Sequence, residues 1–514
     1  MNGAESLVRT LVAGGVEVCF SNPGTSEMHF VTALDRVDGM RCILGLFEGV
    51  VTGAADGYAR MADKPAATLL HLGPGLANGL ANLHNAHKAS TAVVNIVGDH
   101  AVYHRRYDAP LTSDIESAAK TVSSWVRTSP DSKSVAADGA AAIAAARTSP
   151  GQVATLILPA DTAWNNGSEV AAVPPVARPS QVSKDAVAEA ARVLRSGEPT
   201  LILLGGRALR QGALELAGRI AAKTGARLMS ETSGARTERG AGRVPVDRVP
   251  YPVDQAVEVL KGFKHLILVG ARAPVAFFAY PDKPSVLAPP DSQSHLLARR
   301  DEDIPHALEW LADELGARNE RAPIVSYAPT KPASGAINPD TLGQSIGALL
   351  PENAIVIDES ITTGRSFAKS TRASHAHDWL QNMGGSIGLC MPLAVGAAVA
   401  CPDRKVVALE SDGSGMYTLQ ALWTQAREKL NIVTLVFANR TYGILHHELT
   451  NVGAKNVGRK ALDMLDIDRP DLDWVAMARG MGVPGTRVET MEAFNASFAE
   501  GVAMQGPYLI EVVL

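Results

Sequence analysis

The stretch KVVALESDGSGMYTLQALWTQAREKLNIVTLVFAN, Lys405–Asn439, decides the fold. KVVALE (405–410) and NIVTLVFAN (431–439) are short apolar runs rich in Val, Leu and Ile, the pattern of strands buried on both faces. Between them GMYTLQALWTQAREK (415–429) places Leu419, Leu422, Trp423 and Ala426 at helical spacing, which predicts a helix over that whole segment. Strand, helix and strand form a β-α-β unit, and its right-handed crossover makes the strands parallel. Asp412 and Asn439 then lie at the same carboxyl edge of a sheet, where open α/β folds bind ligands. Asp412, Gly413 and Ser414 open the helix, and its free N–H groups suit a phosphate. An anionic oxygen, an amide oxygen and a phosphate describe an octahedral Mg²⁺ site that holds a diphosphate, with a backbone carbonyl near Thr441 available to complete it.

The rest of the chain repeats this pattern. VEVCF, AATLLHL, TAVVNIVG, VATLILP, TLILLGG, HLILVGA and AIVID are further apolar runs, and longer helical patterns separate them. The alternation predicts α/β architecture. Pro- and polar-rich stretches at 165–185 and 319–340 read as linkers and leave three blocks, 1–165, 185–320 and 335–514. A net charge of −5 gives no basic field for nucleic acid. The longest apolar run, Met391–Cys401, is far below the roughly 20 residues of a membrane span. Four scattered cysteines without a C-x-x-C pair, and no evident signal peptide, suit the cytoplasm.

An acidic Gly-Asp-Gly element followed nearly thirty residues later by Asn is the signature of thiamine-diphosphate (ThDP) enzymes, and the chain resembles that family with Ser411 in place of the first glycine. The resemblance implies Mg²⁺ bound by Asp412, Asn439 and the carbonyl of Thr441, and a diphosphate contacted by Gly413, Ser414, Tyr442 and Gly443. ThDP also needs a carboxylic acid in an apolar wall to share a proton with its aminopyrimidine ring. RCILGLFEGVVTGAADGYAR (41–60) offers Glu48, and resembles the glutamate element of the decarboxylase and acetolactate synthase branch. Other pieces follow in the same order. FSNPGTSE (20–27) resembles a substrate loop with Asn22, Pro23 and Gly24. HLGPGLANGLANLHNA (71–86) resembles a glycine-rich segment with Gly73 and Asn78. MGGSIGLCMPLAVGAA (383–398) resembles the segment that bends the cofactor, with Ile387 as the wedge and the Gly385 carbonyl as an acceptor. The implied architecture is three doubly wound parallel-sheet α/β domains: pyrimidine-binding, middle and diphosphate-binding. The implied assembly is a homodimer or homotetramer with Glu48 and Asp412 of different subunits sharing a cofactor.

Within the family the chain looks most like benzoylformate decarboxylase, which implies ThDP- and Mg²⁺-dependent decarboxylation of a small 2-oxo acid, with carboligation as a further outcome. The match makes His71 a proton donor or acceptor and Thr25 a hydroxyl for the substrate carboxylate. That enzyme carries a second active-site histidine in its middle domain, where this chain has APVAFFAYP (273–281). His446, His447, His104 and Tyr103 are the candidate replacements. An acetolactate synthase-like carboligase is the main alternative. Its FAD is not expected here, because the glycine turns after TLILLGG and HLILVGA are what any strand end shows. A 2-hydroxyacyl- or oxalyl-CoA lyase is a further alternative, although no basic cluster for a CoA phosphate is evident in the sequence. Intact Glu48, Asp412 and Asn439 argue against a non-catalytic ThDP-binding partner.

Overall fold

The computed structural model describes residues 1–514. Three sheets organise the chain. The first is all parallel and has the order β2-β1-β3-β4-β6-β5, from β1 (Val18–Asn22), β2 (Arg41–Leu44), β3 (Ala66–Leu70), β4 (Val93–Asp99), β5 (Trp125–Thr128) and β6 (Val153–Pro159). The next segment carries β7 (Thr200–Leu204), β8 (Arg227–Ser230), β9 (Thr237–Arg239), β10 (Asp247–Arg248), β11 (His265–Val269) and β12 (Gln293–Ala298). All of these except β9 form a parallel sheet, β10-β8-β7-β11-β12. The third sheet draws on β13 (Ile355–Glu359), β14 (His377–Gln381), β15 (Val406–Ser411), β16 (Ile432–Ala438), β17 (Gly485–Val488) and β18 (Tyr508–Val513), ordered β17-β18-β16-β15-β13-β14-β9. Each apolar run named from the sequence is a strand. β3, β4, β6, β7, β11 and β16 are buried along their whole length, as helices on both faces require.

The sequence did not show where β9 goes. It leaves the middle segment and pairs antiparallel with β14, closing an edge of the third sheet. The helix expected over 415–429 is also different. A four-residue helix, Asp412–Gly415, is followed by turns, and a second helix runs only from Ala421 to Arg427. Thr418 in the interruption donates to the Gly388 carbonyl at 2.9 Å, a bond that links it to another loop of the site.

The first and third sheets share one core through helices Glu48–Ala62 and Cys390–Ala400. Their backbones touch. A Cβ on Gly57 would lie 2.1 Å from the Leu393 carbonyl oxygen, and one on Gly396 would lie 1.8 Å from that of Ala54. Arg60 joins all three segments. It pairs with buried Asp56 at 2.5 Å and donates to the carbonyls of Ala235 and Gln381. The four cysteines are free, and no helix is long and apolar enough to cross a membrane.

Candidate active site

β15 and β16 are adjacent and parallel, so their ends bring Asp412 and Asn439 to one edge. Asp412 is buried, with Oδ1 accepting from Gly413 N at 2.9 Å and Oδ2 from Arg440 N at 2.6 Å. Burial pushes its carboxyl up to about 6. The backbone donors, and to a smaller extent the Arg440 charge, oppose that shift, and no Lys, Arg or His side chain forms an ion pair with it. Asn439 Oδ1 accepts from Thr441 N at 3.2 Å. A Cβ on Gly413 would lie 2.5 Å from Tyr442 Cε1, so the tyrosine ring closes over the short helix. Ser414 is buried and Gly443 faces Thr362, in a turn after β13 that sequence reasoning did not single out.

Two candidate donors are held locally. His446 Nε2 faces Asp466 Oδ1 at 2.9 Å, and Thr441 Oγ1 donates to the same oxygen, which pins the Asn439–Thr441 turn. His447 Nδ1 donates to the Gly443 carbonyl at 2.7 Å and is exposed.

The turn 383–388 presents Gly385 at φ 78° and a half-buried Ile387. Two residues missed in the sequence support it. Glu359, fully enclosed at the end of β13, accepts from the N–H groups of Gly388, Leu389 and Cys390 and from Asn382 Nδ2. Asn382 in turn accepts from Gly384 N and Gly385 N and donates to Ser386 O. From the first domain, Asn82, His84 and Asn85 bond to Gly388, Gly384 and Ser386.

In the first domain Glu48 opens the helix after β2 and is 8% exposed. One carboxylate oxygen accepts from Asn78 Nδ2 at 3.0 Å. His71 caps the helix Leu72–Ala89, and its Nδ1 meets Glu27 Oε2 at 2.8 Å. The same oxygen accepts from Gly24 N, and a Cβ on Gly24 would lie 2.2 Å from His71 Nδ1, so Gly24 packs against the ring, with Asn22 and Pro23 preceding it in the chain. Glu27 is buried, and burial raises its carboxyl above the usual range against the opposing pull of His71. Glu27 reaches back to the Gly24 N–H as the glutamate of a capping box does, but glycine has no side chain to reciprocate, so no capping signature marks Glu27 in the sequence. Leu72, next to His71, sits at φ 50°, in the left-handed region that branched side chains avoid. Gly73 packs on Ser113, where a Cβ would lie 1.8 Å from Oγ. Thr25 is exposed at the start of a single 3₁₀ turn. Tyr103 is exposed, and His104 lies between His100 and Tyr107, with no hydrogen bond to His71 or Glu48.

A basic cluster, absent from the linear sequence, forms in space. A cavity of about 490 Å³ between the first two domains is lined by arginines that lie far apart along the chain. Arg60, Arg210, Arg236 and Arg300 have carboxylate partners there. Arg178 and Arg207 line the cavity without an ion pair, and Arg147 bonds only to the Gly14 carbonyl.

Residues 1–120 match the family described as thiamine pyrophosphate enzyme, N-terminal TPP binding domain. Residues 362–512 match its C-terminal TPP binding domain. The chain is 53% identical to a Mycobacterium tuberculosis protein named "Putative acetolactate synthase large subunit IlvX", covering 100% of this chain and 99% of that one. It is 28% identical to the benzoylformate decarboxylase of Pseudomonas aeruginosa, over 97% and 96% of the two chains. The solved 4-hydroxybenzoylformate decarboxylase of Rhodococcus jostii superposes with a TM-score of 0.84 over 99% and 98% of the chains at 24% identity, a likeness of fold. Both matched domains, the full-length similarity and the paired carboxyl-edge residues lead to one conclusion: the chain belongs to the thiamine-pyrophosphate enzyme family, in its benzoylformate decarboxylase and acetolactate synthase branch.

Proposed function

We propose that the protein decarboxylates a small 2-oxo acid with ThDP and Mg²⁺. The observation that carries this is Asp412, a buried carboxylate outside any ion pair, set beside Asn439 at the edge of two parallel strands. Asp412, Asn439 and the Thr441 carbonyl would hold Mg²⁺. Gly413, Ser414, Tyr442 and Gly443 would meet the diphosphate, while Gly385 and Ile387 would support the cofactor's bend. When bound, ThDP supplies the electron sink that receives the C1–C2 bonding pair as CO₂ leaves.

The chain's own groups handle the protons. Glu48, oriented by Asn78, would share a proton with the aminopyrimidine nitrogen. His71, its ring set by Glu27, would deliver a proton to the carbon that carried the carboxylate, so that one 2-oxo acid and one proton give one aldehyde and one CO₂. The exposed Thr25 hydroxyl would meet the substrate carboxylate.

A panel of 2-oxo acids, scored separately for CO₂, free aldehyde and acyloin, tests the reading. Glu48→Gln should abolish turnover and retain ThDP binding. A variant as active as the parent would overturn the role given to Glu48. A second reading, an acetolactate synthase-like carboligase, is favoured by the 53% identical relative and by the arginine cavity, whose unpaired Arg178 and Arg207 suit a nucleotide phosphate. Acetolactate from pyruvate, together with flavin absorbance in the purified protein, would select it.

A further inference from the structure

The loop Ala273–Pro281 reaches from the middle domain to the turn that carries Gly385. A Cβ built on Gly385 would lie 2.8 Å from Phe277 Cζ, so the tip of that ring rests on the glycine. Phe277 and Phe278 meet edge to face with centroids 5.0 Å apart, and Tyr251 packs on Phe277 at 5.6 Å. Both phenylalanines stay more than half exposed, at 55% and 53%. Exposing two large apolar rings to water is unfavourable unless something covers them.

The loop is tied down on both sides of these rings. Val275 and Val286 form a bridge across its two limbs. Tyr251 Oη reaches Glu448 Oε1 at 3.5 Å, on the helix that starts at Gly443. Burial first, then Glu448 and Tyr251, hold the Tyr280 hydroxyl above its usual range, so it stays a neutral donor. The rings are thus presented next to the site by contacts that do not use the rings' exposed faces. No residue from Ala273 to Ala279 titrates, so this wall offers apolar surface and no proton.

We propose that Phe277 and Phe278 form the wall that receives the side group of the substrate, and that the substrate is a 2-oxo acid with a large apolar group, aryl before branched alkyl. This rests on the decarboxylase reading and narrows it. Offset and edge-to-face packing favours an aromatic guest on such a pair. A methyl group, as in pyruvate, would leave most of both rings in water.

The experiment uses the full-length protein loaded with ThDP and Mg²⁺. The ratio of kcat/KM for benzoylformate over pyruvate is measured for wild type, Phe277→Ala and Phe278→Ala. Mandelate and lactate, non-reacting 2-hydroxy analogues, are titrated calorimetrically against the same three proteins. Wild type should favour benzoylformate at least about tenfold and bind mandelate more tightly than lactate, and each substitution should cut both preferences about tenfold or more. A wild type that prefers pyruvate overturns the wall, as does equal binding of mandelate and lactate, or variants whose preferences match wild type. Absence of CO₂ from every acid, with the mandelate preference intact and lost in Phe277→Ala, sinks the decarboxylase reading and leaves the wall standing.

Discussion

Glu27 offers the sharpest test of the proton-handling pair. Its Oε2 accepts from Gly24 N and faces His71 Nδ1, both at 2.8 Å, while Oε1 has no partner and occupies the space a Cβ on Gly98 would need. Glu27→Ala leaves both donors without an acceptor, at about 1–3 kcal/mol each, so a loss of about 2–6 kcal/mol is expected. Glu27→Gln separates charge from hydrogen bonding. Its oxygen can accept both bonds, and its NH₂ replaces an oxygen that was unpartnered already. The folded carboxyl of Glu27 is raised by burial, so its favourable contribution is present below the unfolded value of 4.5 and is lost as pH rises through the raised folded value. Gln carries no such loss. Glu27→Gln should therefore stay within about 1 kcal/mol of wild type near neutral pH, and gain on wild type as pH climbs above 4.5. Turnover should fall in both variants whatever their stability, with kcat/KM down about 10²-fold or more. Urea midpoints measured from pH 4 to 8, with CO₂ release over the same range, read both effects. A Glu27→Gln protein with wild-type kcat/KM across that range refutes the assignment of Glu27 and His71 as a working pair.

Two further outcomes follow from the packing and the metal-site carboxylate. Gly396→Ala places a methyl 1.8 Å from the Ala54 carbonyl oxygen, so the two helices must part, at a cost of about 1–3 kcal/mol or more, and an unchanged denaturation midpoint would disprove the backbone contact. Asp412 stands at about 6 when folded against an ordinary 3.8, so its favourable contribution is present below about pH 4 and lost as pH rises through about 6. Without metal, Asp412→Asn should then be the more stable protein at pH 7. Mg²⁺ with ThDP should raise the wild-type Tm, by about 2.7 kcal/mol of stabilisation at a hundredfold excess over Kd, and leave Asp412→Asn nearly unmoved. Equal shifts in both would refute Asp412 as a ligand.

Legibility in the sequence followed burial. Strands enclosed on both faces, such as β4, β6 and β16, announce themselves as apolar runs. β14, HDWLQ, is buried in its first four residues, but its Asp378 is neutralised by Arg236 and Arg404, contacts that no local pattern reveals. The helix expected through 415–429 fails at Met416–Gln420, where the apolar spacing is right and tertiary bonds, Thr418 to Gly388 among them, override it. In the site, Asp412, Asn439, Glu48 and His71 stand out because each ends or begins an apolar element. Glu359 also ends an apolar run, but like Asn382 its task is to bind backbone groups of a turn that is distant in sequence, and nothing local reveals that task. The arginine cavity was invisible for the same reason.

The small strand β9 makes the last block of the chain less portable than its own contiguous sheet suggests. A fragment cut at residue 335 would keep β13 to β18 and lose Thr237–Arg239, leaving β14 with a bare row of backbone donors and acceptors. Such an edge invites a second fragment to pair with it, so soluble expression of the block alone would depend on supplying a substitute strand. During synthesis the order runs the helpful way. β9 is made before β14, and the edge finds its cover as soon as it forms.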